Sequence, residues 1–111
     1  MIPYSIEDGA LVLSGLPPVR FPQAVRQVAE FDDVLVVRLV WSNDNLRNVY
    51  GVNARGETLW RIGEPGANPL GALYLGVGRV DDRIVRAVSS MGVSFDLDAR
   101  TGKVISTALT K

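Results

Sequence analysis

The sequence predicts an all-β protein built of antiparallel meanders, and three observations lead to that fold class. First, the 111 residues include 16 Val and five Ile against 12 Leu and nine Ala, and β-branched side chains favour strands over helices. Second, 11 Gly and six Pro separate short apolar runs, which is typical of strands joined by turns. Third, two stretches of the chain resemble each other at a spacing of about 45–49 residues.

Ten short strands are predicted from the apolar runs between these turns. One stretch, 22–31, leaves two alternatives open, because Val25, Val28 and Ala29 share a helical face and Pro22 suits the first position of a helix. Its counterpart later in the chain is predicted to be a strand, so it is included among the strands here. The predicted strands are Tyr4–Ile6, Ala10–Leu13, Val25–Glu30, Val34–Trp41, Asn48–Asn53, Thr58–Ile62, Leu73–Val77, Arg83–Val88, Val93–Leu97 and Lys103–Thr107.

The turns between these strands have recognisable residues. Asp8-Gly9 predicts a hairpin between the first two strands, since both residue types tolerate the positive φ of a tight turn. Ser42–Asn45 is a polar loop between two strands. Gly63–Pro69 is the longest turn-rich segment, and it divides the chain into two unequal parts.

Those two parts repeat each other. Phe31–Val36 returns as Val80–Val85, and Tyr50–Leu59 returns as Phe95–Ile105 with Thr101 inserted in the turn. Each copy is a strand, an Asp-Asp turn, a strand, a loop, a strand, a Gly turn and a strand, which predicts a four-stranded antiparallel meander. The chain is therefore expected to be one all-β domain, 1–111, with repeats at about 19–62 and 67–107.

The segment Val49–Trp60 resembles the blade repeat of pyrroloquinoline-quinone-type β-propellers. That repeat runs aromatic, small, aliphatic, Asp or Asn and Ala, then a Gly turn and an aliphatic-Trp pair. Phe95–Ile105 is similar to it, although Ser106 stands where the repeat has Trp. In both copies the turn glycine, Gly56 or Gly102, is predicted to hold positive φ.

The resemblance implies propeller-like blades, but two copies and an N-terminal hairpin are too few to close a propeller, which needs at least four blades. The catalytic carboxylate and metal ligands of a quinoprotein come from several blades, and none of them carries over to this chain. No cofactor is therefore expected. The chain also looks like small uncharacterised bacterial proteins that are built from the same units and end in Thr-Gly-Lys and Thr-Lys.

Composition and charge exclude several classes of function. Twelve Lys and Arg balance 12 Asp and Glu, which argues against binding to nucleic acid or to an anionic membrane. Without Cys or His, the chain has no thiol or imidazole chemistry and no ordinary zinc or copper site. Residues 1–20 carry Glu7 and Asp8 where a signal peptide would need an apolar run, so a cytoplasmic location is expected.

The acidic pairs Asp32-Asp33 and Asp81-Asp82 are interpreted as turn formers, with a carboxylate site as the alternative. Trp60 ends the hairpin whose other strand holds Tyr50, so a cross-strand aromatic pair in the core is expected. No catalytic or metal-ligating residue is assigned.

Four residues are candidates for binding a partner. Trp41 lies at a strand end beside the polar loop that contains Asp44, where an exposed indole would serve as an anchor. Arg38 shares a strand face with three Val, which indicates either an Arg stem lying flat on a solvated face or a patch that another chain covers. Arg86 has a similar mid-strand place in the second repeat.

The leading hypothesis for function is a non-enzymatic binding or protein-interaction module. One alternative is a small immunity or antitoxin protein that neutralises a toxin, and another is a small-molecule-binding protein or enzyme that uses Asp and Arg residues. A homodimer is expected, built from sheet edges or from the face that carries Arg38, because two blades leave free edges. The competing expectation is a monomer in which the two meanders fold onto each other.

Overall fold

The structure is a computed structural model, and it describes residues 2–42, 44–63 and 74–109. The described residues form ten strands and contain no helix that is long and apolar enough to cross a membrane. Segment 22–31 holds a strand, which settles the two alternatives that the sequence left open. The strands are β1 (Tyr4–Glu7), β2 (Ala10–Leu13), β3 (Val25–Glu30), β4 (Leu35–Leu39), β5 (Val49–Val52), β6 (Thr58–Arg61), β7 (Tyr74–Arg79), β8 (Ile84–Ser89), β9 (Val93–Asp98) and β10 (Val104–Leu109).

The strands form a hairpin and two meanders, as the repeat predicts. Strands β1 and β2 pair as a two-stranded sheet, β3 to β6 form the first sheet in chain order, and β7 to β10 form the second sheet in chain order. Every pairing is antiparallel. The fold is therefore all-β, with two propeller-blade-like repeats that do not close into a ring.

The hairpin turn has the backbone that its residues predict. Asp8 and Gly9 both have positive φ, 51° and 76°, so the chain reverses within two residues between β1 and β2. The predicted loop Gly63–Pro69 lies outside the described residues apart from Gly63. The first sheet is followed in the structure by the second, which begins at Tyr74.

The hairpin, the first sheet and the second sheet stack as three layers. One hydrophobic core lies between the hairpin and the first sheet, and the other lies between the two sheets. The alternating side chains of β4 separate the two cores: Leu35, Val37 and Leu39 point to the hairpin, whereas Val36 points to the second sheet. Because both faces of β4 are covered, all four of these side chains are fully buried. The second core also contains Phe31, Val34, Trp60, Tyr74, Val77, Val85, Ala87, Leu97 and Ala99.

The expected aromatic pair between Trp60 and Tyr50 is wrong. Strand register places Gly51 opposite Trp60 and Tyr50 opposite Arg61, so the two rings lie on opposite faces of the first sheet. Tyr50 packs against Phe21 at a centroid distance of 5.0 Å. Trp60 instead faces the second sheet, where its indole N–H donates to the carbonyl of Ala99 at 2.8 Å.

Candidate interaction surface

Trp41 is the largest exposed apolar side chain at the end of β4. Its indole is 58% exposed, although Leu39, two residues earlier, is completely buried. Val40 beside it is also exposed, and its N–H donates to the carbonyl of Ala24 at 2.7 Å, which keeps the chain aligned beyond the strand end. The indole of Trp41 is therefore exposed to solvent, and the backbone next to it is held by the hydrogen bond of Val40.

The loop that follows Trp41 is fixed by polar contacts. Asp44 donates its backbone N–H to the hydroxyl of Ser42 at 3.1 Å. Asn45 is buried, its amide nitrogen donates to Gln23 Oε1 at 2.8 Å, and its Oδ1 accepts from the guanidinium of Arg61. Trp41 and Asp44, two of the four predicted residues, are both exposed and flank or follow residues that make these polar contacts.

Asn48 is a buried residue that joins the end of β4 to the start of β7, and it was not among the residues predicted from the sequence. The side chain is fully buried and donates from Nδ2 to the carbonyls of Leu39 and Tyr74, at 3.1 and 3.0 Å. Its Oδ1 accepts from the N–H of Tyr74 at 3.2 Å. A single amide thus satisfies both backbone groups of a residue 26 positions away, and no local pattern in the sequence signals that pairing.

Arg38 supports a contact between the two sheets by bonding to its cross-strand neighbour Gln27. It is half-buried, and its Nε donates to Gln27 Oε1 at 3.0 Å, which also accepts from the N–H of Val77 at 3.1 Å. Burial, with a smaller contribution from Arg26, lowers the pKa of Arg38 from its ordinary value. The Arg38 side chain therefore holds the glutamine that joins the first sheet to the edge of β7.

Arg86 lies on the face of the second sheet that is turned away from the first. Its guanidinium makes two hydrogen bonds to the carboxylate of Asp96, at 2.7 and 3.0 Å, in a bidentate arrangement. That contact is the main cause that lowers the pKa of Asp96 and raises the pKa of Arg86. A cavity of about 360 Å³ lies beside Arg86 and is lined by Gln27, Gly78 and Arg86 among others. Gln27, which bonds to Arg38, therefore also lines the cavity next to Arg86.

The acidic residues of the turns bind arginines and backbone. Asp33 pairs with Arg100 at 2.9 Å, which links a turn of the first sheet to a turn of the second. Asp82 pairs with Arg79, and Asp81 Oδ1 accepts the N–H groups of Arg83 and Ile84, both at 2.8 Å. The backbone contacts of Asp81 agree with the turn-forming role predicted for the second pair, whereas Asp33 of the first pair binds an arginine of the second sheet.

The carboxylate of Asp98 also accepts hydrogen bonds from the backbone of a turn. Its Oδ1 accepts the N–H groups of Arg100 and Thr101, at 2.9 and 3.2 Å. The Arg100 N–H bond is the largest cause that lowers the pKa of Asp98. A carboxylate with a lowered pKa is a weak proton acceptor near neutral pH, so this arrangement suits structure better than acid–base catalysis.

Within the described ranges, no group of three or more Asp and Glu lies close enough to hold a metal ion. A cavity of about 680 Å³ is an open concavity beside the hairpin, lined by Tyr4, Val12, Leu16 and neighbouring residues. It contains no charged side chain.

Comparisons with known proteins give a fold and a family. The family model for DUF7957, described as a domain of unknown function, matches residues 1–109. The crystal structure of BamB from Moraxella catarrhalis is similar over 83% of this chain, with a TM-score of 0.58 and 20% identity. The chain spans about a quarter of that protein, since the match covers 26% of BamB. No curated protein sequence matches the chain.

Proposed function

The chain belongs to the DUF7957 family, and we propose that it is a non-enzymatic module that binds another protein through the surface around Trp41. The observation that carries this proposal is the 58% exposure of the Trp41 indole, with the exposed Val40 beside it. Tryptophan is the residue type most enriched among the side chains that dominate binding energy at protein interfaces.

The ordered backbone around Trp41 adds support. The Val40–Ala24 hydrogen bond and the Asn48 contacts hold the strand end, so the indole is presented with little loss of backbone freedom on binding. Asp44, three residues after Trp41 in the sequence, is also exposed. A complementary partner would offer an apolar pocket with a cation at its rim.

The acidic residues support binding rather than catalysis. Asp33, Asp82 and Asp96 each pair with an arginine, and Asp98 is held by backbone N–H groups. Of these carboxylates, Asp96 and Asp98 have a pKa below the ordinary value, because the first is bonded to Arg86 and the second to backbone N–H groups, so both are poorly suited to accept protons from a substrate.

The proposal is tested by photo-crosslinking followed by measurement of affinity. A photoreactive amino acid at Val40 is expected to capture one protein from the cells that make this chain, whereas the same group at Leu59, an exposed residue of β6, is the matched control. The captured protein is then purified, and its affinity for the chain is measured. Trp41→Ala is expected to weaken binding by about 30-fold, and Leu59→Ala by less than about twofold.

The proposal is overturned if the purified partner binds Trp41→Ala as tightly as the parent, or if Val40 captures no more than Leu59 does. The identity of the partner also decides the narrower alternative. A captured toxin whose activity the chain blocks would make the module an immunity or antitoxin protein.

A further inference from the structure

The outer strand of the second sheet, β10, has a free edge. The sheet order is β10-β9-β8-β7, so β10 pairs with β9 on one side and with no strand of the described residues on the other. All six of its side chains are exposed, including the large apolar residues Val104, Ile105 and Leu109. The sequence has no charged residue between Lys103 and Lys111.

The other outer strands of the described sheets carry protection that β10 lacks. On the outer side of β2, Leu11 exchanges two backbone hydrogen bonds with Val19. Strand β1 ends in Glu7, β3 contains Arg26 and Glu30, and β6 ends in Arg61. The edge of β7 is occupied by side chains of the first sheet, because Asn48 and Gln27 bond to its backbone groups. Charges and covered backbone are the usual means by which proteins prevent edge-to-edge pairing.

Strand β10 is also regular where pairing would occur. The register shift against β9 lies between Val104 and Ser106, and from Ser106 to Leu109 the residues follow one another without a break. A bulge bends a strand locally and discourages pairing there, so the unprotected part is the second half of the strand. The second half of the strand is uncharged, since it consists of Ser106, Thr107, Ala108 and Leu109, so an incoming strand would meet no charged side chain there.

We propose that β10 is a self-association edge, at which two copies of this chain pair antiparallel across a two-fold axis and join their second sheets into one eight-stranded sheet. A second copy is the occupant that the edge fits best, because two identical uncharged strands place no like charges opposite each other. The zero net charge of the chain adds no long-range repulsion between copies. This edge belongs to a different sheet from Trp41, so the inference goes beyond the proposed function.

The oligomeric state tests the inference. Sedimentation at micromolar concentrations is expected to give a species of about 24 kDa, twice the 12.0 kDa of one chain. Thr107→Lys places two like charges near the two-fold axis and is expected to give the monomer. Thr58→Lys, the same change at an exposed position on the β6 edge, is the matched control and is expected to remain dimeric. Circular dichroism of both variants serves to check that they are folded.

Cysteine cross-linking locates the edge. The chain has no Cys, so a single cysteine in place of Ser106 or Thr107 forms an intermolecular disulfide only with another copy. Antiparallel pairing brings the residue nearest the two-fold axis within disulfide distance of its own copy, whereas Thr58→Cys is expected to cross-link poorly. A monomeric parent, a dimer that Thr107→Lys leaves intact, or cross-linking no stronger than that of Thr58→Cys would overturn the proposal. None of these results changes the expectation for Trp41, which the crosslinking at Val40 tests separately.

Discussion

At the scale of single residues, three side chains of the first repeat bond to backbone groups of the second repeat. Asn48 binds the backbone of Tyr74, Gln27 binds the N–H of Val77, and Trp60 binds the carbonyl of Ala99. Each contact satisfies a backbone group that would otherwise lose its water on burial or remain as an open edge. These residues therefore act as hydrogen-bonding substitutes for a neighbouring strand.

Asn48→Ala is expected to be strongly destabilising. It leaves the carbonyls of Leu39 and Tyr74 and the N–H of Tyr74 without the Asn48 partner in a buried region, and we expect a loss of about 3 kcal/mol in the free energy of unfolding. Asn45→Ala is the control, because Asn45 is also buried but its side chain bonds to the side chains of Gln23, Tyr50 and Arg61 rather than to backbone of the second sheet. Its expected cost is about 1 kcal/mol. Urea unfolding of both variants measures the difference, and equal losses would contradict the role given to Asn48.

Single residues were predictable from the sequence where the cause is local. The positive φ of Gly56 and Gly102 is confirmed at 78° and 73°, since a tight turn fixes the conformation within a few residues. The role of Asn48 was not predictable, because Tyr74, whose backbone it bonds, lies 26 residues away in the second sheet. A buried Asn in a strand-rich segment gives no sign of the backbone that it will meet.

At the scale of elements, both copies of the repeat use the same Gly turn in different surroundings. A Cβ at Gly56 would come within 2.9 Å of one methyl group of Val19. A Cβ at Gly102 would come within 2.6 Å of the Trp60 ring, which is held in the core by its bond to Ala99. The second turn therefore supports the contact between the sheets as well as reversing the chain.

The two turn glycines are expected to differ in their sensitivity to substitution. Gly56→Ala mainly forces alanine into positive φ, and a loss of about 1 kcal/mol in the free energy of unfolding is expected. Gly102→Ala adds a collision with Trp60, and a loss of about 3 kcal/mol is expected. The shift in denaturant midpoint of each variant measures these costs. A Gly102→Ala protein that is no less stable than Gly56→Ala would show that Trp60 does not pack on this turn.

The strands themselves were largely predictable. All ten predicted strands overlap observed ones, because β-branched runs bounded by Gly, Pro and Asp define strands locally. The face of the sheet to which each side chain points was harder to predict from the sequence. Trp60 was expected beside Tyr50, but the register shift between Gly51 and Val52 in the pairing of β5 with β6 sets Gly51 opposite the indole. A bulge of this kind is set by packing and leaves little trace in the sequence.

At the scale of the whole molecule, the protein is a stack of three layers in which the first sheet is the middle one. The repeat predicted two blade-like meanders, and the similarity of fold to BamB agrees with that architecture. The sequence could not predict how the meanders stack, because the stacking depends on Trp60, Asn48 and Gln27 meeting backbone of the second sheet. The layering also leaves one face of the second sheet and the β10 edge without a covering layer in the described residues.

The central claim is that the two repeats stack with Trp60 on the turn at Gly102, and nuclear magnetic resonance tests it most directly. The chain has two tryptophans, and the exposed Trp41 serves as an internal control. The account predicts that the Trp60 indole N–H exchanges slowly with solvent, whereas that of Trp41 exchanges fast. It also predicts nuclear Overhauser effects between the Trp60 ring and the α-protons of Gly102, which the ring current should shift upfield. Indole protons that exchange at the same rate, with no Overhauser effect to Gly102, would contradict the stacking of the two sheets.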